Sequence, residues 1–304
     1  MPVSSPLPGL PDALVARPFT PEDAAAFFEV YAAAEQHDTG AVTVELADIV
    51  SDWARPSLDL ARHSMGVWEG GRLVAGSDVY RTRRADGAVH PDHRGRGIGT
   101  ALARWTQVAS RADGGTRVGM TVPSGSAGEA VFRDLGYEPG WTTWVLQLPS
   151  GATVPDRGLP DGFTLANADP SDLRAVHRVI EDAFNEWPER QPTPYEDWAA
   201  GVIGREGFEP WQLRVVRSPE GAVVAVASLV LAGETVYVGQ LATRADHRGR
   251  GLAQALLADA FAAGRAHGAR VSELSTDSRT GALPLYERLG MVVTQTWQHW
   301  QTDL

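Results

Sequence analysis

The heptapeptides HRGRGIG, at residues 93–99, and HRGRGLA, at residues 247–253, are nearly identical and lie 154 residues apart in one chain. Each copy follows a stretch with strand character. Behind the first copy, Ile98, Leu102 and Trp105 fall on one face at helical spacing, and the second copy is followed by a similar pattern. The sequence therefore predicts, twice, a glycine-rich turn between a strand and an amphipathic helix.

The similarity between the two halves extends beyond this turn. FRDLG at residues 132–136 resembles YERLG at residues 286–290, again with an offset of 154 residues. A Trp-x-x-Trp pair then follows in both halves, at residues 141–144 and 297–300. Self-similarity of this kind is typical of a duplicated unit. The chain is therefore predicted to contain two homologous domains.

The boundary between the halves is marked by composition. Residues 149–161 are rich in Pro and Gly and lack hydrophobic periodicity, which is typical of a linker. The predicted domains are residues 1–148 and 162–304. Each has the same order of a strand, two helices, a hairpin, a strand, the glycine turn, a helix, and further strands around a last helix. This order predicts a mixed α/β sheet in each half.

The composition limits the class of function. The chain has 304 residues, a formal net charge of −11 and no cysteine. The acidic balance argues against a nucleic-acid binder that coats phosphates with Lys and Arg. The missing cysteine excludes thiolate metal sites and acyl-cysteine intermediates, and no metal site is predicted. No secretory signal and no membrane span are recognisable, so the expected location is the cytoplasm.

A strand, a glycine-rich turn and a helix together form an anion-binding arrangement. Backbone N–H groups at the helix start face the turn, at the positive end of the helix dipole. Gly95, Gly97 and Gly99 allow a diphosphate to approach the backbone, while Arg94 and Arg96 add charged donors. The dinucleotide pattern G-x-G-x-x-G and the NTPase pattern G-x-x-x-x-G-K-[ST] are both absent. For a single occurrence, a basic turn at a helix start or an RG-type RNA contact would be equally consistent. Two copies, each after a strand and before an amphipathic helix, favour a diphosphate site.

The two loops resemble the acyl-CoA pyrophosphate loop of the GNAT superfamily of N-acyltransferases, Gln/Arg-x-x-Gly-x-Gly/Ala. The segment LYERLG at residues 285–290 also resembles that family. The resemblance covers nearly the whole chain, once per half. It implies two tandem GNAT acyl-CoA N-acyltransferase domains, acetyl-CoA as cofactor and a small-molecule amine as substrate, with a monomer or a homodimer left open.

The resemblance also implies which residues bind the cofactor. The strand ahead of each loop pairs with pantetheine through its backbone, and the loop and the helix start hold the pyrophosphate. In the first half these residues are Ala88, Val89, His90, Arg94, Gly95, Arg96, Gly97, Ile98, Gly99 and Thr100. In the second half they are Leu241, Ala242, Thr243, Arg248, Gly249, Arg250, Gly251, Leu252, Ala253 and Gln254.

The catalytic acid implied by the resemblance is a Tyr on the helix after the splayed strands. Tyr286 matches that position, whereas the first half has Phe132 there. A phenyl ring preserves packing but has no proton to donate. The C-terminal half is therefore predicted to be catalytic, and the N-terminal half to be non-catalytic while still able to bind acyl-CoA.

Two departures from the family pattern leave the base and some cofactor contacts open. Many relatives have a Glu eleven residues before the loop Arg, where this chain has Tyr237 and Arg83. Glu234 lies nearby and is a candidate for accepting a proton through water, or is simply a surface hairpin carboxylate. An Asn that often contacts the cofactor is replaced by Arg279 and Gly125. These departures keep a second hypothesis open, a non-catalytic acyl-CoA-binding or regulatory protein.

Residues 35–38 and 185–190 occupy the substrate-facing connection of the first two helices, according to the resemblance. They carry acidic and aromatic side chains that suit an amine-bearing ligand, although polar surface loops have the same composition. The first hypothesis is direct transfer of an acetyl group in a ternary complex, because no cysteine is present to form a covalent intermediate.

Overall fold

The computed structural model describes Leu7 and residues 9–155, 157–187 and 190–304. The chain forms two compact units. The first unit comprises Met1–Thr142 and Thr296–Leu304, and the second comprises Thr143–Gln295. In the part of the chain described, no helix is both long enough and apolar enough to cross a membrane.

The first unit is a mixed sheet with helices on both faces. In chain order its elements are β1 (Leu14–Arg17), α1 (Ala24–Thr39), α2 (Leu46–Trp53), α3 (Leu60–His63), β2 (Ser64–Glu69), β3 (Arg72–Tyr80), β4 (Arg84–Val89), α4 (Ile98–Ala112), β5 (Arg117–Pro123), α5 (Ala127–Asp134) and the start of β6 (Glu138–Leu148). Strands β1 to β4 are neighbours in sequence order and antiparallel, and β4 and β5 are parallel.

The second unit repeats this plan. Its elements are the end of β6, then β7 (Thr164–Asn167), α6 (Leu173–Phe184), α7 (Tyr195–Gly201), β8 (Leu213–Arg217), β9 (Val223–Ala232), β10 (Thr235–Thr243), α8 (Leu252–Ala266), β11 (Val271–Asp277), α9 (Leu283–Arg288) and the start of β12 (Val292–Asp303). Strands β7 to β10 are antiparallel neighbours, and β10 and β11 are parallel. The predicted mixed α/β sheet of each half is confirmed.

Each unit is completed by the end of the other half's last strand. In the first unit, Trp297 to Asp303 of β12 pair antiparallel with β5. In the second unit, Thr143 to Leu148 of β6 pair antiparallel with β11. The compact units therefore differ from the predicted domains of residues 1–148 and 162–304 at these two strands, which a repeat in the sequence cannot reveal.

The two parallel strands in each unit separate along their length. Strands β4 and β5 are paired only at Arg84 and Gly119. Strands β10 and β11 are paired from Thr235 to Val238, and a bulge follows between Val238 and Gln240. A bulge bends and twists its strand. The backbone of β10 beyond Val238 is thus left without pairing to β11, and a cleft opens there.

Apolar helix faces position the loops at this cleft. In the second unit, Leu252 and Leu256 of α8 are buried against one face of the sheet, while Val176 and Ile180 of α6 are buried against the other. The first unit has the same arrangement, with α4 and α1. Burial of each such side chain contributes about 1.5–3 kcal/mol. The start of the helix after each glycine loop is therefore held firmly at the cleft.

Candidate active site

A cavity lies at the strand separation in each unit. Its volume is about 400 Å³ in the first unit and about 750 Å³ in the second. The walls are the end of the strand before the glycine loop, the loop itself and the start of the next helix. All of the predicted cofactor-binding residues line these cavities except His90, Arg96 and Arg250.

These three residues are engaged elsewhere. His90 caps the turn after β4 by accepting a hydrogen bond from the Asp92 amide, and burial lowers the pKa of its imidazole. Arg96 forms a bidentate ion pair with Glu69, at 2.9 and 2.8 Å. Arg250 donates to the Asp246 carbonyl oxygen at 3.3 Å. The prediction that they contact the cofactor therefore has no support in their positions.

The glycines of the loop are required by the backbone. Gly95 and Gly97 have φ of 73° and 79°, and Gly249 and Gly251 have φ of 75° and 82°. This left-handed region costs an L-residue with a Cβ about 1–2 kcal/mol. Gly97 and Gly251 lie directly before the helices, so they turn the chain from the loop into α4 and α8.

The start of each helix presents amide donors to the cavity. The first helical hydrogen bond of α4 runs from the Ala101 amide to the Gly97 carbonyl oxygen, at 3.0 Å, and Ala255 and Gly251 are bonded in the same way in α8. The amides of residues 98–100 and 252–254 therefore have no acceptor within the helix. Together with the helix dipole they form a site for an anionic group such as a diphosphate.

The first arginine of each loop is bound to a carboxylate from the end of the first helix. Arg94 forms a bidentate ion pair with Asp38, and Arg248 is paired with Glu186 at 2.7 Å. Arg248 also holds the pKa of the Glu186 carboxyl below its usual range. In both halves the arginine Nε donates to a carbonyl oxygen of the preceding strand, at 3.3 and 3.1 Å. The sequence predicts these arginines as charged donors to a diphosphate, and in the structure both are also paired with a carboxylate that holds the loop.

Tyr286 and Phe132 occupy matching places in the two cavities. Tyr286 lines the second cavity and is 8% exposed, and Phe132 lines the first and is 5% exposed. Burial raises the pKa of the Tyr286 phenol to about 12. Its hydroxyl has no hydrogen-bond partner within the described part of the chain. The phenol is therefore a neutral proton donor beside an open cavity, and the first cavity has no equivalent group at this place.

The structure does not bring Glu234 to the cavity. This residue lies in the turn between β9 and β10, and its side chain is 62% exposed. Its carboxylate is paired with Arg270 at 3.2 Å, and it is absent from the cavity lining. A base must be within hydrogen-bond reach of the amine, directly or through one water. The alternative interpretation, a surface hairpin carboxylate, agrees with this position.

Charged side chains of the two substrate-facing segments are engaged in contacts within the protein. Glu35 is buried and accepts hydrogen bonds from the Thr43 and Val44 amides, at 2.7 and 3.0 Å. In the second half, Arg190 forms a bidentate pair with the buried Glu181, at 2.8 Å for both contacts. These contacts hold the connections between helices. Residues 188 and 189 of the second segment lie outside the described residues.

An aromatic wall of the second cavity comes from the same segment. Trp187 lines the cavity, and the Arg279 guanidinium lies over its ring at 4.6 Å from the centroid. Arg279 is itself held by an ion pair with Asp277 at the end of β11. The residue that replaces the family's Asn thus connects β11 to the wall of the cavity.

The predicted linker also contributes to the second cavity. Arg157 lines it, close to the loop end where Gln254 donates to the Pro155 carbonyl oxygen at 2.7 Å. Val154 is buried, and Leu159 is partly buried against the same core. The Pro- and Gly-rich composition of this segment does not predict the contact. One apolar residue on each side of Arg157, Val154 and Leu159, is the signal in the sequence that the segment packs against the core.

Two stretches of the chain match one known family. The sequence model of the Acetyltransferase (GNAT) family matches residues 25–137 and 173–291, which is more than half of the chain. Each matched stretch includes one glycine loop and one pair of separating parallel strands.

The described residues contain no group of three or more His, Asp or Glu side chains arranged to hold a metal ion.

The relatives found by sequence are mycothiol acetyltransferases. The enzyme of Salinispora arenicola is 33% identical over 244 residues, which cover 75% of this chain and 76% of that protein. The enzyme of Nocardioides sp. is 30% identical over 171 residues, which cover 54% of this chain and 50% of that protein. The match thus spans half the length of the second relative and three quarters of the first.

Solved structures resemble the chain along nearly its whole length. A GCN5-related N-acetyltransferase from Sphaerobacter thermophilus has a TM-score of 0.76 and 28% identity, covering 97% of this chain and 96% of that one. A tandem GNAT protein from the clavulanic acid biosynthesis pathway has a TM-score of 0.73 and 20% identity, covering 95% and 98%. The second likeness concerns the fold alone.

Proposed function

Because the chain belongs to the GNAT family of acetyltransferases, with two copies of the fold in tandem, we propose that its second unit transfers an acetyl group from acetyl-CoA to a primary amine of a small molecule. As a member of this family, the chain is an N-acetyltransferase enzyme that binds acyl-CoA. We retain residues 1–148 and 162–304 as the two repeated domains, joined by residues 149–161.

The observation that carries this proposal is the neutral phenol of Tyr286 at the second cavity. In acetyl transfer, a C–N bond forms between the amine and the thioester carbon, the C–S bond breaks, and the sulfur leaves as a thiolate. Tyr286 donates its proton to that thiolate, and the amine gives up a proton to water. A phenol whose pKa is raised to about 12 stays protonated at neutral pH and regains its proton readily.

The remaining residues of the second cavity bind and orient. The backbone of Leu241 to Thr243, which β11 leaves unpaired, is suited to pair with the amide groups of pantetheine. The amides at the start of α8 are suited to the diphosphate. The chain contains no cysteine, which supports direct transfer in a ternary complex. Glu234 has no part in this proposal.

The first unit has the same loop and cavity but lacks the acid. We propose that it binds acyl-CoA through the backbone of Ala88 and Val89, through the loop glycines Gly95 and Gly97, and through the start of α4 from Ile98 to Thr100, without catalysing transfer. Phe132 fills the place of the phenol and preserves the packing. The two copies of the loop then bind two cofactor molecules, of which only one reacts.

The relatives suggest which acceptor to test first. Those found by sequence are mycothiol acetyltransferases, and three of them are 30–33% identical over parts of this chain. We propose the unacetylated, amine-bearing precursor of mycothiol as the first candidate. The cavity of about 750 Å³ is large enough for the end of the cofactor and a small acceptor together.

The test is the variant Tyr286→Phe, with Phe132→Tyr as its matched control. Loss of a general acid is expected to lower kcat by about 10²–10⁴-fold. The affinity for CoA, measured by calorimetry, is expected to stay within about twofold, since Phe fills the same space in the first unit. Phe132→Tyr is expected to leave turnover unchanged. Unaltered kcat in Tyr286→Phe would remove Tyr286 from the mechanism.

A broader outcome separates the two hypotheses. The wild-type chain is mixed with acetyl-CoA and either the mycothiol precursor or a broad panel of amines. Tight CoA binding without release of the CoA thiol in any of these mixtures would support the non-catalytic acyl-CoA-binding function. Acceptor-dependent thiol release by the wild-type chain excludes it.

A further inference from the structure

The side chain of Gln240 is held in one orientation at the opening of the second cleft. It follows the bulge in β10 and lines the cavity. Its Oε1 accepts one hydrogen bond from Trp198 Nε1 at 3.1 Å and another from Ser228 Oγ at 3.3 Å. The indole N–H of Trp198 can only donate, so it assigns the oxygen end of the amide, and the Nε2 end points the other way.

The Nε2 donors of Gln240 have no partner within the described part of the chain. The two hydrogen bonds at Oε1 are the contacts that the residue makes there. An amide nitrogen carries two hydrogen-bond donors. Since the residue lines the cavity, these donors are available to a ligand inside it.

Gln240 faces the side of the sheet on which the first two helices of the unit lie. Trp198 belongs to α7, and Ala242, two residues further along β10, packs against Val176 and Val179 of α6. Side chains two residues apart in a strand share a face. The glycine loop leads instead to α8, which packs on the opposite face with Val236. The amide donors thus lie on the side of the sheet that carries α6 and α7, opposite the side that carries α8.

The first unit has acidic residues at the two paired strand positions that Gln240 and Ser228 occupy in the second unit. Asp86 corresponds to Gln240 by the offset of 154 residues, and its strand partner is Asp78, as Ser228 is the partner of Gln240. Trp53 Nε1 donates to Asp78 Oδ2 at 3.1 Å. The first unit therefore has two acidic groups where the second unit has a neutral amide and a hydroxyl.

We propose that Gln240 is a specificity-determining residue of the second unit, whose Nε2 donates a hydrogen bond to a carbonyl or hydroxyl oxygen next to the amine of the acyl acceptor. The class of acceptor is therefore an amine with a neighbouring neutral oxygen, rather than a simple alkylamine. This inference rests on the proposed function, and it adds which chemical group beside the amine is recognised.

The test compares two amines in the wild-type chain and in Gln240→Glu. Glycinamide has a carbonyl oxygen beside its amine and ethylamine has none, and neither carries a thiol that would interfere with detecting CoA. The glutamate keeps both acceptors for Trp198 and Ser228 but removes the Nε2 donors. The measured ratio is kcat/KM for glycinamide divided by kcat/KM for ethylamine. Comparing this ratio between the two proteins cancels the effect of the different basicity of the two amines.

We expect the ratio to fall about tenfold in Gln240→Glu, the usual effect of one lost hydrogen bond. The Kd for CoA is expected to be unchanged, and Asp86→Asn in the first unit is expected to leave the ratio unaltered. Gln240→Met is a second variant that lacks the donors without introducing charge, and it should lower the ratio in the same direction.

The outcomes separate this inference from the function beneath it. Wild-type turnover of amines with the same ratio in all variants overturns the role of Gln240 alone. A wild-type chain that acetylates neither these amines nor the mycothiol precursor overturns the proposed function, and the role of Gln240 with it. A lowered ratio together with a normal Kd for CoA supports both.

Discussion

Arg94 donates one hydrogen bond to each carboxylate oxygen of Asp38, at 2.7 and 2.9 Å, and so joins the first glycine loop to the end of α1. Both side chains are largely buried, with exposures of 21% and 14%. The corresponding pair in the second unit, Arg248 and Glu186, is more exposed, at 44% and 49%. The same contact therefore restrains the loop arginine more strongly in the first unit.

Replacing Asp38 by Asn is expected to tighten CoA binding in the first unit by about 3–10-fold. The change frees the Arg94 guanidinium for the diphosphate and removes a negative charge beside it. Glu186→Gln is the matched change in the second unit, and about a twofold effect is expected because exposed ion pairs are weak. Two-site calorimetry with CoA measures both. Weaker binding in Asp38→Asn would show that the ion pair is needed to shape the loop.

The left-handed glycines make a second prediction. Gly251→Ala is expected to weaken CoA binding in the second unit by about tenfold, since Ala at φ of 82° costs about 1–2 kcal/mol or shifts the loop amides. Gly99→Ala is the control. A Cβ there would lie 3.7 Å from Val89 and 3.8 Å from Val131, which is ordinary contact, and the second unit has Ala253 at this position. Equal effects of the two changes on CoA affinity would contradict this account.

A third prediction concerns the acidic pair of the first unit. Burial, and then the charge of Asp86, raise the pKa of Asp78 to about 7 from an ordinary value of 3.8. The folded unit thus favours the protonated form. This contribution to stability is fully present below about pH 4 and is lost as the pH rises toward 7.

Asp78→Asn mimics the protonated form and still accepts from Trp53. At pH 8 it is expected to raise the free energy of unfolding by on the order of 1–4 kcal/mol, and to flatten its pH dependence between about 4 and 7. Chemical unfolding of both proteins across this pH range measures the effect. Parallel pH profiles for the two proteins would exclude Asp78 as the source.

A fourth prediction is the alkaline limb of the reaction. Since the phenol of Tyr286 keeps its proton until about pH 12, turnover is expected to rise with deprotonation of the amine and to show no fall between pH 7 and 10. The measurement is kcat as a function of pH in the wild-type chain and in Tyr286→Phe. A descending limb near pH 8 in both proteins would assign the acid to another group, and one in the wild-type chain alone would show that Tyr286 ionises far below pH 12.

The duplicated fold and the positions of both clefts are predictable from sequence, because they depend on local patterns. The glycines mark the loops, and the apolar spacing after them marks α4 and α8. The identity of the phenol at Tyr286, against Phe132, also follows from aligning the two halves. The backbone conformation of the loop confirms the reason for its glycines.

The partners of the charged residues could not be predicted, since they depend on contacts between distant segments. Arg94 meets Asp38 across 56 residues of chain, and Arg248 meets Glu186 across 62. Arg157 comes to the second cavity from a stretch whose composition resembles a flexible linker. The geometry of a hairpin turn decides that Glu234 is directed to solvent, and the composition of the strand carries no trace of it.

The strand ends that complete each unit have a consequence for how this duplicated protein can be divided. Cleavage within residues 149–161 would leave the C-terminal fragment without Thr143 to Leu148, which pair with β11, and the N-terminal fragment without Trp297 to Asp303, which pair with β5. Each fragment would expose a sheet edge that the other fragment's strand end can cover. The separated fragments are therefore expected to behave as complementing partners rather than as two independent enzymes.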